Sequence, residues 1–188
     1  MGHINWARIG LAVQHYQSLG FEYIETPWIV DRKSSSITCP DTARAITTDF
    51  EYTDLVGSAE QGFIHLCRTQ QMPEGVNFVS CGPCFRWERP FDELHQLHFM
   101  KVELFSRLED ESRGDETARE LCNRANRFVR QFGIAPEIVE TDEGYDLEVN
   151  GIEIGSYGYR THEEIGTWAY GTGLAEPRLS IVMESKNG

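Results

Sequence analysis

Cys84-Phe85-Arg86-Trp87-Glu88, a polar turn at Arg89-Pro90-Phe91-Asp92-Glu93-Leu94-His95, and a return at Leu97-His98-Phe99-Met100-Lys101-Val102-Glu103-Leu104-Phe105 decide how the chain is read. Apolar residues alternate along both arms, with Phe78, Cys84 and Trp87 on or beside the first and Phe99, Val102 and Phe105 on the second. Alternation with a period of two, broken by a polar loop, predicts two antiparallel strands. The hairpin also carries arginines, glutamates, two histidines and large aromatics, a set suited to a highly charged ligand laid across a sheet.

The chain around this hairpin has 188 residues, which suits a single domain spanning 1–188. Its hydrophobic content of 40% and aromatic content of 11% supply a core and argue against disorder. Thirty acidic residues against 17 Lys and Arg give a net charge of −13. A surface of that sign repels a phosphate backbone, so dedicated nucleic-acid binding is disfavoured. No apolar run of membrane-spanning length occurs, and the first residues show no signal-peptide pattern. Five scattered cysteines fit free thiols in a reducing cytoplasm.

Upstream of the hairpin, Trp6, Ile9, Val13 and Tyr16 predict a helix over 4–19, closed by Gly20. Phe21 to Val30 reads as a strand interrupted by Thr26-Pro27; proline lacks a ladder donor, so this strand belongs at an edge or an interface. Asp31 to Asp49 reads as loop, and Tyr52 to Val56 as a short strand. A helix follows to about Arg68, with Ser58 as its N-cap. Downstream, Ala118, Leu121, Cys122, Ala125, Phe128, Val129 and Phe132 form one stripe of a helix over 115–132, which Gly133 ends. Strands are expected at 134–140, 145–149, 151–159 and 166–170, with Asn150-Gly151 as a hairpin turn. Gly171-Thr172-Gly173 then leads into an expected helix over 174–185 with Pro177 in its first turn. Many strands and few helices predict an α+β fold, an antiparallel sheet flanked by helices.

Several motifs carry chemistry. Cys81-Gly82-Pro83-Cys84 matches a dithiol redox string, but its sequel is a poor helix start, and thiol activation in such motifs uses a helix N-terminus. Gly171-Thr172-Gly173 before a helix reads either as a structural turn or as a cradle for a phosphate, with Arg178 reaching the same anion. Glu60, Glu103 and Glu153 lie on three separate elements, the last two within apolar strands. The six histidines show no metal-ligand spacing, Cys81 and Cys84 have no matching second pair, and so no zinc site is expected. No Ser-His-Asp arrangement, Walker loop or dinucleotide fingerprint is present.

In order and spacing, these segments resemble the catalytic core of class II aminoacyl-tRNA synthetases, with seryl-tRNA synthetase the nearest likeness. The helix over 4–19 with Gly20-Phe21-Glu22-Tyr23-Ile24-Glu25-Thr26-Pro27 is similar to motif 1, which in the family lies at a dimer interface. Leu55-Val56-Gly57-Ser58-Ala59-Glu60 is similar to the seryl Thr-x-Glu substrate loop, with Ser58 for Thr. The two hairpin arms resemble motif 2, Gly151-Ile152-Glu153-Ile154-Gly155-Ser156 a magnesium-holding strand, and Gly171 to Arg178 motif 3.

The resemblance implies ATP and Mg²⁺ as cofactors and an amino acid as substrate. It implies that Arg86 bridges the α-phosphate and the attacking carboxylate, that Glu88 contacts the adenine side, and that Phe99 stacks on the base. By the same likeness Arg178 stacks on or pairs with ATP toward the γ-phosphate, His98 touches a phosphate, and Glu153 coordinates Mg²⁺ with Ser156 nearby. Ser58, Glu60, Glu103, Tyr170 and Thr172 fall on the amino-acid side, Glu60 and Glu103 holding the ammonium. An α-carboxyl is ionised at neutral pH, its pKa being roughly 3.5, so activation needs alignment and charge neutralisation rather than a general base.

Three departures set the expected acceptor. The chain begins at motif 1 without a tRNA-binding arm, the turn between the motif 2 arms is short, and Tyr170 stands where the seryl enzymes carry Asn. The expectation is a cytoplasmic enzyme, homodimeric through the Pro27 strand, that forms an aminoacyl-adenylate and passes it to a carrier protein or small molecule. It is not expected to bind tRNA by itself. The alternatives are tRNA charging in trans with a separate tRNA-binding partner, a non-catalytic paralogue acting as a binding or regulatory module, and the dithiol redox reading. Tyr170 further suggests a small substrate side chain.

Overall fold

The computed structural model describes residues 3–39, 45–50, 52–70, 72–87 and 90–185. In chain order it contains α1 (Trp6–Ser18), β1 (Glu22–Tyr23), β2 (Ile29–Asp31), α2 (Arg32–Ser35), β3 (Ile46–Thr47), β4 (Thr53–Leu55) and α3 (Ala59–Thr69). There follow β5 (Asn77–Phe85), β6 (His98–Leu108), α4 (Gly114–Arg130), β7 (Glu137–Thr141), β8 (Gly144–Val149), β9 (Ile152–His162), β10 (Gly166–Glu176) and α5 (Arg178–Ser185). Seven strands form one sheet in the order β1-β5-β6-β10-β9-β8-β7, antiparallel throughout except for the β1–β5 pair. β2, β4 and β3 make a small antiparallel sheet. The α+β architecture expected from the sequence is the one observed.

The alternation along β6 sorts the molecule into layers. Met100, Val102 and Leu104 face α1 and α4, and they join Ile9, Tyr16, Leu121, Phe128 and Tyr157 in the larger core. Phe105 points to the other face, where Phe63 of α3 stacks on it with centroids 4.6 Å apart. A fully buried ring or leucine contributes roughly 2 kcal/mol by removing apolar area from water, so the two clusters dominate the stability of the sheet. α4 is fastened by the stripe read from the sequence, Ala118, Leu121, Cys122, Ala125, Phe128 and Val129, all of it buried. The hairpin between β8 and β9 turns at Asn150 and Gly151, both at positive φ, as a tight two-residue turn requires.

Four local expectations are corrected. Phe21 to Val30 is not one strand: β1 and β2 belong to different sheets, and the stretch between them lets Thr26 bond Ser80 through its side chain. The edge placement does hold, since β1 is an outer strand. The segment 31–49 is not loop throughout. Asp31 caps α2 by accepting from the Ser34 N–H, and β3 follows; residues 40–44 lie outside the described residues. Trp87 lies beyond the end of β5.

The fourth correction concerns Gly171-Thr172-Gly173. The strand continues through Glu176, and only Arg178–Ser185 is helical, so these glycines cradle nothing at a helix start. They make room for rings instead. A Cβ on Gly171 would lie 2.3 Å from Tyr157, and one on Gly173 2.7 Å from Tyr16, whose hydroxyl donates to the Gly173 carbonyl.

The dithiol reading also fails here. Cys81 and Cys84 lie on a strand, three residues apart and so on opposite faces, and burial pushes the Cys84 thiol up to about 12. Pro83 fits because β1 pairs only with Phe78 and Val79, leaving that side of β5 without a ladder partner at Pro83.

Gly171→Ala and Gly173→Ala should each lose about 1–3 kcal/mol through overpacking, read from urea midpoints. Unchanged midpoints would mean that the glycines serve something other than ring packing.

Candidate active site

On the face of the sheet opposite α1 and α4, beside α3, lies a cavity of about 340 Å³. The strand period places its wall. Phe99 and Lys101 project from β6, Tyr170 and Thr172 from β10, and Ser156 and Arg160 from β9. Arg86 comes from just beyond β5, Ser58 and Glu60 from the start of α3, and Arg178 from the start of α5. That volume lies within the range of small-molecule sites.

Most of the sequence-predicted residues meet here: Arg86, Phe99, Glu153, Ser156, Arg178, Ser58, Glu60, Tyr170 and Thr172 all line the cavity. Glu103 is buried directly behind it and is joined to it through Ser58 and Lys101. His98 does not line the cavity; as the neighbour of Phe99 on a strand it faces the other way. Glu88 lies outside the described residues.

The loop that opens α3 is pinned at both sides. The Ser58 hydroxyl accepts from the Glu60 N–H as N-cap and donates to Glu103 Oε2 at 2.7 Å. The Gly57 carbonyl accepts from Arg86 Nε at 2.9 Å, and the Arg86 guanidinium lies 5.3 Å from the centroid of Phe99. At the far end, Arg178 donates to the carbonyl and carboxylate of Glu153, both at 3.2 Å, and to the Leu94 carbonyl of the hairpin turn. Among the described residues no group of three His, Cys, Asp or Glu side chains could hold a metal alone. Glu153 is instead a half-exposed carboxylate paired with Arg178, with Asp146 of β8 near enough to interact with it and to bond Ser156.

Two buried carboxylates underlie the wall, each behind a cation. Glu103 has no exposed surface, and Lys101 Nζ sits 2.9 Å from its Oε2. Burial pushes the Glu103 pKa up, against the opposing pull of Lys101 and Ser58. Glu60 receives Arg160 Nη1 on both oxygens at 2.8 Å and the Trp168 indole N–H at 2.8 Å. Arg160 in turn lies 4.3 Å from the centroid of Tyr170. Neither Lys101 nor Arg160 stood out in the sequence, where each reads as a solvated charge on a strand. Arg160 and Glu60 are 100 residues apart, and no local pattern links them.

No protein-family model matches the chain, and no curated protein matches it in sequence. Solved structures do match it in shape. Seryl-tRNA synthetase from Pyrococcus horikoshii, complexed with ATP, superposes with a TM-score of 0.79 at 19% identity, over 94% of this chain and 49% of that one. The fold is that of the class II aminoacyl-tRNA synthetases. Two structures of pyrrolysyl-tRNA synthetase from Desulfitobacterium hafniense give TM-scores of 0.75 and 0.74 at 16% and 14% identity, each over 96% of this chain and 69% of the other. The chain spans about half the length of the seryl enzyme it matches.

The ion pair at Glu103 is directly testable. Lys101→Met leaves a buried carboxylate unpaired and should cost about 3 kcal/mol at pH 8. The folded pKa of Glu103 is raised, so the fold holds its proton more tightly than the unfolded chain does. The destabilisation should therefore shrink from pH 8 to pH 5, as Glu103 moves toward its protonated form, and grow as pH rises. Adding Glu103→Gln should recover most of the loss. Urea melts that show the same cost at both pH values would contradict the pairing.

Proposed function

We propose that this chain activates an amino acid with ATP, forming an aminoacyl-adenylate, and hands the acyl group to an acceptor other than tRNA, a carrier-protein thiol or a small-molecule amine. The observation that carries this reading is the gathering of Arg86, Phe99, Glu153, Ser156 and Arg178, from four separate parts of the chain, around one cavity. The same fold in the Pyrococcus seryl enzyme was obtained complexed with ATP.

In the proposed reaction a carboxylate oxygen of the amino acid attacks the α-phosphorus of ATP. The new O–P bond forms as the bond to the bridging oxygen breaks, and pyrophosphate leaves with the electron pair. Arg86 spans the attacking carboxylate and the α-phosphate and offsets their repulsion. One face of Phe99 is taken by Arg86 in this structure, and the adenine stacks on the other, with Glu88 at its edge. Arg178 meets the γ-phosphate with a bidentate geometry that lysine lacks.

Mg²⁺ is commonly held by one or two carboxylates together with substrate phosphates, and Glu153, with Ser156 beside it, fits that pattern. The ion would neutralise charge on the phosphates. The amino acid lies toward Ser58, Thr172 and Tyr170, with Glu60 as the carboxylate for its ammonium and Glu103 acting from behind the wall through Ser58. The net charge of −13 supports an acceptor other than a polyanion.

The test is amino-acid-dependent exchange of labelled pyrophosphate into ATP. Exchange with one or a few amino acids is expected, and Arg86→Ala should lower it at least about 100-fold while leaving the thermal melt unchanged. Undiminished exchange in a folded Arg86→Ala protein would contradict the assignment.

A further inference from the structure

We propose that the amino acid carries a short side chain ending in a carboxylate, and that Arg160 recognises it by exchanging partners with Glu60. This rests on the amino-acid-activating reading above and deepens it. Both members of the Glu60–Arg160 pair line the cavity, and the cation is the more open of the two: the Arg160 side chain is 32% exposed and that of Glu60 6%. Among the described residues, only Nη1 of Arg160 is hydrogen-bonded, and to Glu60 alone, so Nη2 and Nε remain as donors. Tyr170 lies against the guanidinium and closes that end of the cavity, which sets a limit on side-chain length.

Position separates Arg160 from the nucleotide residues. It stands seven residues after Glu153 on β9, roughly 20 Å along an extended strand, so the phosphate end and the Arg160 end are distinct parts of the cavity.

Charge balance then selects the ligand. An incoming ammonium finds Glu60 already neutralised by Arg160 and Glu103 by Lys101. If it takes Glu60 from Arg160, the guanidinium is left half-buried without a directly paired anion, with Glu143 of the cavity rim acting on it only from beyond hydrogen-bond reach, which is unfavourable. A side chain with its own carboxylate removes that penalty: the ammonium pairs with Glu60, the side-chain carboxylate pairs with Arg160, and no buried charge is stranded. Serine, alanine or asparagine cannot complete the exchange.

The experiment measures both pyrophosphate exchange and calorimetric binding for L-aspartate, L-glutamate, asparagine, glutamine, serine and glycine. The enzymes are the wild type, Arg160→Gln, Arg160→Lys and the double variant Glu60→Gln with Arg160→Gln, which leaves no unpaired charge if the single variant folds poorly. An acidic amino acid should be preferred at least tenfold in kcat/KM over its amide, Arg160→Gln should erase that preference, and Arg160→Lys should restore part of it. A neutral amino acid preferred by the wild type, with rates indifferent to Arg160, would overturn the proposal and leave amino-acid activation standing. If no amino acid supports exchange, activation itself fails and calorimetry decides. Binding of aspartate or glutamate that is lost in both the single and double variants supports the Arg160 site, and absence of such binding overturns it.

Discussion

Glu103 is a carboxylate without solvent in the middle of a seven-stranded sheet, and that one fact organises the face around it. An isolated ion there is prohibitive, so it must be paired and hydrogen-bonded. Lys101, two residues away on the same strand and therefore on the same face, supplies the charge, and the Ser58 hydroxyl supplies the hydrogen bond. Because Ser58 is also the N-cap of α3, the helix start is held to the sheet at a fixed place. That in turn places Glu60, which needs its own cation and receives Arg160 from β9. The Ser58–Glu103 hydrogen bond thus ties α3 to β6 and the Glu60–Arg160 ion pair ties it to β9, and each buried carboxylate leaves its cation toward the cavity. The Gly57 carbonyl of the same loop holds Arg86.

The opposite face of the sheet has a different requirement, close approach without charge. Tyr16 and Tyr157 are fully buried, and each rests on a glycine of β10. Their hydroxyls donate to the carbonyls of Gly173 and Thr172, at 2.9 and 2.6 Å. These bonds fall near the shift in the β6–β10 register between Thr172 and Leu174. The rings brace, from behind, the part of β10 whose front bears Tyr170 and Thr172. Precision at the cavity therefore depends on packing in the larger core as well as on its own ion pairs. At the end of β10, buried Arg8 of α1 pairs with Glu176 and donates to Ser180, which fixes the helix that begins at Arg178.

Much of this was legible in the sequence, for reasons that differ by element. The α4 stripe and the Asn150-Gly151 turn are local patterns with a single physical solution, and both are observed. The β5–β6 hairpin was legible because Met100, Val102 and Leu104 alternate with Lys101 and Glu103 along β6, beyond a polar turn. What failed were places where one residue type answers to two pressures. Gly171 and Gly173 read as turn glycines, but they are strand residues emptied for Tyr157 and Tyr16. Thr26-Pro27 read as an interruption within one strand, whereas the chain passes there from one sheet to another. Lys101 and Arg160 could not be picked out, because a strand charge looks solvated until its buried partner is known, and the partner of Arg160 lies 100 positions away. The family likeness supplied Arg86, Phe99, Glu153 and Arg178. The structure brings them together around one cavity, and sets His98 on the other side of its strand.

The central claim is that the cavity on the open face of the sheet is a nucleotide site built from Arg86, Phe99 and Arg178. It is met most directly by calorimetric titration of ATP with Mg²⁺ into the wild type, Arg86→Ala and Arg178→Ala. Saturable binding of one ATP per chain, weakened at least tenfold by each substitution, is the predicted result. Absence of binding by folded wild-type protein, or binding indifferent to both arginines, would contradict it.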